Sequence, residues 1–205
     1  MSSPTEIATP PETGFDLEAF WIKYQGKILI FVGLFIAAIA TYATYEWLHT
    51  RTLTGAEQLF AGARTAEDYR KVIAEYGGTA AAGDAHLLLA EQLRQDGKFD
   101  ESSTVLRSFT EKYAEHPLLS GAWTSLAANL EAQEKPDEAL AMYQKVSTSY
   151  ATSFSAPVAL MAQARLLKAK GKAEEARLIY EQVTTRYAET VVAQQAAQEI
   201  KRLKK

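Results

Sequence analysis

The sequence predicts an all-α protein: an N-terminal transmembrane helix followed by an α-solenoid of helix–turn–helix repeats about 37 residues long. Three observations predict it. No residue from Ile28 to Tyr45 is charged. Tyr76, Tyr113, Tyr150 and Tyr187 recur 37 residues apart. Alanine is abundant and β-branched runs are scarce, which favours helix over strand.

The apolar run lies between Lys27 and Glu46, and to Leu48 it spans 21 residues. As a helix that is roughly 31 Å, matching a hydrocarbon core of about 30 Å. Trp21 and Tyr24 precede it, and Tyr42, Tyr45 and Trp47 close it, as interfacial aromatics do. A buried core helix is disfavoured by the length and the lack of charge. A cleaved signal peptide has a candidate site at Ala38-Ile39-Ala40, but four acidic residues precede the run and hydrophobicity continues past the site. The expectation is an uncleaved single-pass anchor over 28–48. Lys23 and Lys27 before it, against His49 and Arg51 after it, give a slight bias toward a cytoplasmic N-terminus. In a bacterium the domain that follows would then be periplasmic. The chain has no cysteine, so Ser147→Cys would offer a unique label site for testing this.

Ahead of the span, residues 1–14 are polar, contain Pro4, Pro10 and Pro11, and read as a disordered tail. Over 15–27, Asp16 can cap a helix, with Phe15 and Phe20 as a hydrophobic staple. Leu17, Phe20, Trp21, Tyr24 and Ile28 share one face, which suits an interfacial helix or a simple extension of the span. Residues 1–47 hold five acids and two bases, the whole net charge of −3. The neutral remainder gives no electrostatic reason to expect nucleic acid as a partner.

From residue 49 to 205 the period organises the chain. Val72, Phe109, Val146 and Val183 align; so do Tyr69, Leu106, Tyr143 and Tyr180; so do Thr65, Ser102, Ala139 and Ala176. In the preceding segment of each unit, Ala85, Ala122 and Ala159 align, as do Ala90, Ala127 and Ala164, and Leu93, Leu130 and Leu167. Small residues let paired helices approach to about 8 Å, and large ones fill the space around that approach. One such unit cannot bury its apolar face alone, so stacked neighbours complete the core. Thr65-Ala66-Glu67-Asp68 resembles a capping box, and Gly77-Gly78 ends that helix. A last helix is expected from about Thr190, with Val192, Ala196, Ile200 and Leu203 as its apolar stripe, capping the array.

These columns resemble the tetratricopeptide repeat. Ala90, Ala127 and Ala164 fall on that family's small position, and Trp123 falls on its tryptophan position. Ser102, Ala139 and Ala176 match its alanine, and Leu106, Tyr143 and Tyr180 its aromatic. The period is 37 rather than 34, and Ala114, Ala151 and Ala188 stand where the family has a late proline.

Catalytic chemistry is not expected. The three histidines, His49, His86 and His116, are far apart, and no His-Glu-x-x-His, Gly-x-Ser-x-Gly, P-loop or dinucleotide motif occurs. Asp100-Glu101, Asp137-Glu138 and Glu174-Glu175 recur at helix starts, where they favour the helix dipole. No cofactor, metal or small-molecule substrate is expected.

What remains is binding. The tetratricopeptide resemblance implies a concave groove lined by the first helix of each unit. Here that helix would present Leu87, Glu91 and Arg94, then Thr124 and Glu131, then Met161, Arg165 and Lys168. The mixed polarity suits a peptide or protein surface. The layout and the junction residues Trp21, Lys23, Gly26-Lys27 and Tyr45-Glu46-Trp47 are similar to YfgM-like bacterial inner-membrane proteins. That resemblance implies an ancillary subunit of the Sec translocon, with translocon subunits, a periplasmic chaperone or nascent chains as partners. The alternative is a scaffold for envelope assembly or cell division.

Overall fold

The structure is a computed structural model that describes residues 17–203; the expected tail over 1–14 and the Asp16 cap with its Phe15 staple lie outside them. The described residues form nine α-helices and no strand. They are α1 (Leu17–Gly62), α2 (Ala66–Glu75), α3 (Ala80–Gln95), α4 (Phe99–Lys112), α5 (Leu119–Ala132), α6 (Pro136–Ser149), α7 (Ser155–Ala169), α8 (Ala173–Arg186) and α9 (Val191–Leu203). The chain divides into two compact units, Met1–Arg51 and Thr52–Lys205.

In the first unit the helix is unbroken through the region expected to be interfacial and the apolar run. It is long and apolar enough to cross a membrane, and its apolar side chains are exposed, with Phe31 73% and Ile30 67% accessible. The hydroxyls of Thr41 and Thr44 donate to Ala37 O and Ala40 O, each at 2.8 Å. These bonds satisfy the two hydroxyls within the helix itself. Lys23 lies over the Tyr24 ring and Arg51 over Trp47, each 5.3 Å from the centroid.

The second unit is the solenoid. Consecutive helices pack antiparallel in pairs, α3 with α4, α5 with α6 and α7 with α8, and α5 with α7 and α7 with α9 touch as first helices of neighbouring units. The aligned alanines are its spine: Ala85, Ala122, Ala159, Ala164, Ala139 and Ala176 are all buried. Around them Leu106, Phe109, Tyr143, Val146, Tyr180 and Val183 fill the core. Thr65 and Asp68 form a capping box at the start of α2. In α9, Ala196 is buried and Val192, Ile200 and Leu203 pack on the last core cluster.

The turns repeat as faithfully as the helices. Lys98, Lys135 and Lys172 stand at the starts of α4, α6 and α8 with nearly identical ψ (61°, 61° and 60°). The residue before each has a positive φ: Gly97 at 75°, Glu134 at 60° and Gly171 at 77°. Only glycine adopts that region without a Cβ penalty, so Glu134 is strained where its counterparts are not.

Two members of the tyrosine column tie their units to the one before. The Tyr113 hydroxyl accepts from Gly78 N (3.1 Å), and the Tyr187 hydroxyl donates to Ala151 O (2.7 Å). A second tether recurs at the other end of the helices: Gln133 donates to Asp100 (3.0 Å) and Lys170 to Asp137, both pairs in one register. Ser147, expected to be a usable label site, is instead buried; its hydroxyl accepts from Gln163 Nε2 at 2.8 Å. The neighbouring Ser149 is exposed.

Candidate binding groove

The first helices of the units run side by side, so residues at equivalent positions form columns across the solenoid. One column reads Leu87, Thr124, Met161, Gln198; the next reads Glu91, Ala128, Arg165, Arg202; a third reads Arg94, Glu131, Lys168. Two depressions follow these columns. The larger, ≈ 870 Å³, runs across α5, α7 and α9. Thr124, Met161, Arg165 and Lys168 line it, with Ala128, Val158 and Ala162 making its walls apolar. The smaller, ≈ 200 Å³, lies between α3 and α5 and is lined by Leu87, Glu91 and Arg94. Glu131 lines neither depression directly but pairs with Arg165. All eight residues read from the sequence therefore lie along these two depressions or pair with a residue that does.

The charges are organised in pairs, both across and within helices. Arg165 Nη2 on α7 is 2.6 Å from Glu131 Oε1 on α5. Lys168 Nζ on α7 donates to Glu199 Oε2 on α9 at 2.9 Å, and Arg202 takes the other oxygen of Glu199. Within α3, Arg94 grips Glu91 with two bonds, 2.7 and 2.9 Å. The hydrogen bond from Lys168, with that from Arg202, holds the Glu199 carboxyl below the usual range although burial opposes it.

Two groove residues were not legible as such in the sequence. Tyr143 and Tyr180 come from the second helices, α6 and α8, and both are buried, yet they reach the floor of the larger depression. Burial, then the nearby Glu131 carboxylate, pushes the Tyr143 phenol up to about 12. Burial, then Glu199, raises Tyr180. Both stay neutral at physiological pH. Their column read as core filling; what it lacked was the gap between neighbouring first helices through which a second-helix side chain is seen.

Phe154 and Leu118 also carry no signal in the repeat pattern. They precede α7 and α5 and have no matching residue type in their columns. Phe154 is 62% exposed, and its ring lies over Gly121, whose Cβ, if added, would be 3.5 Å from Cζ. With Leu87 and Leu118 it frames the smaller notch.

Of the three histidines, His86 takes a structural place. His86 is buried, its Nδ1 is 2.7 Å from Ala82 O, and its ring packs on Phe109 and Tyr113. Burial lowers its pKa. Among the described residues no cluster of three or more His, Cys, Asp or Glu could hold a metal ion. An array with an apolar floor, neutral phenols and paired ions can hold an extended chain by burial and hydrogen bonding.

Residues 18–203 match the family described as tetratricopeptide repeat-like domain. Two crystal structures of a Podosopora anserina protein assigned as a kinesin light chain with nearly identical TPR-like repeats, one of them a point variant, share the fold. Each is 19% identical, with a TM-score of 0.55 over 75% of this chain and 84% of that one. The comparison with curated proteins returns no match.

Proposed function

The chain belongs to the tetratricopeptide repeat-like domain family, whose repeats are protein–protein interaction modules, and from that premise we propose that it is a membrane-anchored ancillary subunit of the Sec translocon. In this reading α1 crosses the bacterial inner membrane once, with the N-terminus cytoplasmic and the solenoid periplasmic. The groove receives a periplasmic chaperone or an emerging polypeptide beside the translocon, and no bond is made or broken. The observation that carries the reading is the groove across α5, α7 and α9, together with the one long apolar helix among the described residues, which is bare of protein cover. The similarity of the junction residues to YfgM-like proteins supports the choice of membrane and partner.

The test is chemical cross-linking of the full chain in native membranes, followed by mild-detergent purification and mass spectrometry. Translocon subunits and a periplasmic folding factor among the strongest cross-links are the expected result. Division or outer-membrane assembly proteins with no translocon would replace this reading with that of an envelope scaffold.

A further inference from the structure

The groove is not uniform along its length. At the α3–α5 end is the notch framed by Leu87, Leu118 and Phe154. Its openness comes from one residue: Gly121 stands where the flanking units carry Asp84 and Val158. At ≈ 200 Å³ it exceeds the roughly 150 Å³ apolar cavity that accepts benzene, so one phenyl or isobutyl side chain fits. Phe154 is left exposed beside it, 62% accessible, an aromatic surface that a ligand side chain can stack on.

The α7–α9 end has different chemistry. Arg165, Lys168 and Arg202 face two carboxylates, Glu131 and Glu199, and Glu199 alone serves both Lys168 and Arg202. A ligand that covers this end displaces water and lowers the local dielectric, which magnifies the surplus positive charge. Complementarity then requires an acid on the ligand.

We propose that the groove selects an extended polypeptide segment with a bulky apolar side chain seated beside Phe154 over Gly121 and an acidic residue at Arg165, Lys168 and Arg202. This rests on the reading that the groove is the binding surface. Two helix spacings of about 8–10 Å separate α5 from α9, so the two anchors stand about five residues apart in an extended strand. The ligand acid competes with Glu131 and Glu199 for the same cations. These internal ion pairs therefore hold the empty groove partly closed to acids, and weakening one of them should improve binding rather than impair it.

The experiment uses the full chain in lipid nanodiscs and fluorescein-labelled peptides, read by anisotropy. The probe has Phe, a four-residue Gly/Ser spacer and Asp-Glu, made in both chain directions. Controls replace Phe with Ser, or Asp-Glu with Lys-Lys. The expected result is that either replacement weakens binding at least tenfold, that Phe154→Ser abolishes the dependence on the probe's Phe, and that Glu199→Gln tightens binding about threefold while Arg202→Gln weakens it. A Lys-Lys probe that binds as well as the acidic one, or a Ser probe equal to the Phe probe, overturns this selectivity. If Met161→Arg still blocks those probes, the groove remains the binding surface. Absence of binding by every probe, with native partners cross-linked to the outer helices α6 and α8 instead, overturns both readings.

Discussion

The Arg165 guanidinium on α7 bridges to the Glu131 carboxylate on α5 across the groove floor, 34 residues away in sequence and 2.6 Å in space. Because the Arg165 side chain is 58% exposed, this pair contributes little to stability, on the order of 0–1 kcal/mol. Arg165→Glu should therefore leave the urea unfolding midpoint nearly unchanged and remove partner cross-links. Loss of both together would make Arg165 a folding residue instead.

At the junction of the first two units, Asn129 Nδ2 donates to the Ser102 hydroxyl at 2.9 Å, which donates to Ala90 O at 2.7 Å. One junction later the same columns hold Leu166 and Ala139, an apolar solution to the same contact. Ser102→Ala leaves Asn129 Nδ2 only its bond to the Ser103 hydroxyl (3.1 Å) and removes the donor to Ala90 O, and should cost about 1 kcal/mol. Adding Asn129→Leu should recover much of that loss, a coupling that chemical denaturation of the four-membered mutant cycle would show. Additive losses would contradict it.

Glu134 sits at φ 60° where the equivalent turns carry Gly97 and Gly171. Glu134→Gly should raise stability by up to about 1 kcal/mol, because relief of the left-handed strain outweighs glycine's entropy. Gly171→Ala should lower stability by about the same amount. Thermal melts of the two variants should move in opposite directions.

His86 is buried as the neutral imidazole, with its pKa depressed from 6.5 by desolvation. The unfolded chain takes up its proton first as pH falls, so the stability this residue contributes is complete above about 6.5 and is lost below it, down to the depressed folded value. Melting temperatures measured from pH 7.5 to 5 should fall, and His86→Leu should flatten part of that fall. An unchanged slope would assign the pH response elsewhere.

Ser149→Cys would be the only cysteine in the chain and is exposed at the end of α6. With the proposed topology, a membrane-impermeant maleimide should label it in intact spheroplasts without permeabilisation. Labelling only after lysis would place the solenoid in the cytoplasm.

Much of this architecture is written in the 37-residue period, because each repeated residue answers a local demand that recurs: a small residue where helices cross, a large one beside it, a left-handed turn residue before each lysine. The capping box at Thr65 and the late helix at Val191 are legible from local signals instead, a Thr-x-x-Asp pattern and an apolar stripe. The burial of Ser147 leaves no mark in the sequence because it depends on Gln163, a partner 16 residues away on the neighbouring unit's first helix. Phe154 and Gly121 escaped notice because the notch exists only where their columns depart from the pattern. Periodicity reveals what the units share, whereas a recognition feature is found where one unit differs.

The near-identical ψ at Lys98, Lys135 and Lys172 also fixes how this chain can change in length. Excising residues 99–135 would splice Lys98 onto Pro136, a lysine–helix seam the protein already makes, and would shorten the stack by one whole unit. A cut inside a helix that is not a whole number of repeats would rotate the downstream side chains of that helix and turn its part of the alanine spine outward. Growth and loss in such a chain are therefore quantised, and each step would move the notch at Gly121 relative to the cationic end by one helix spacing, or remove it.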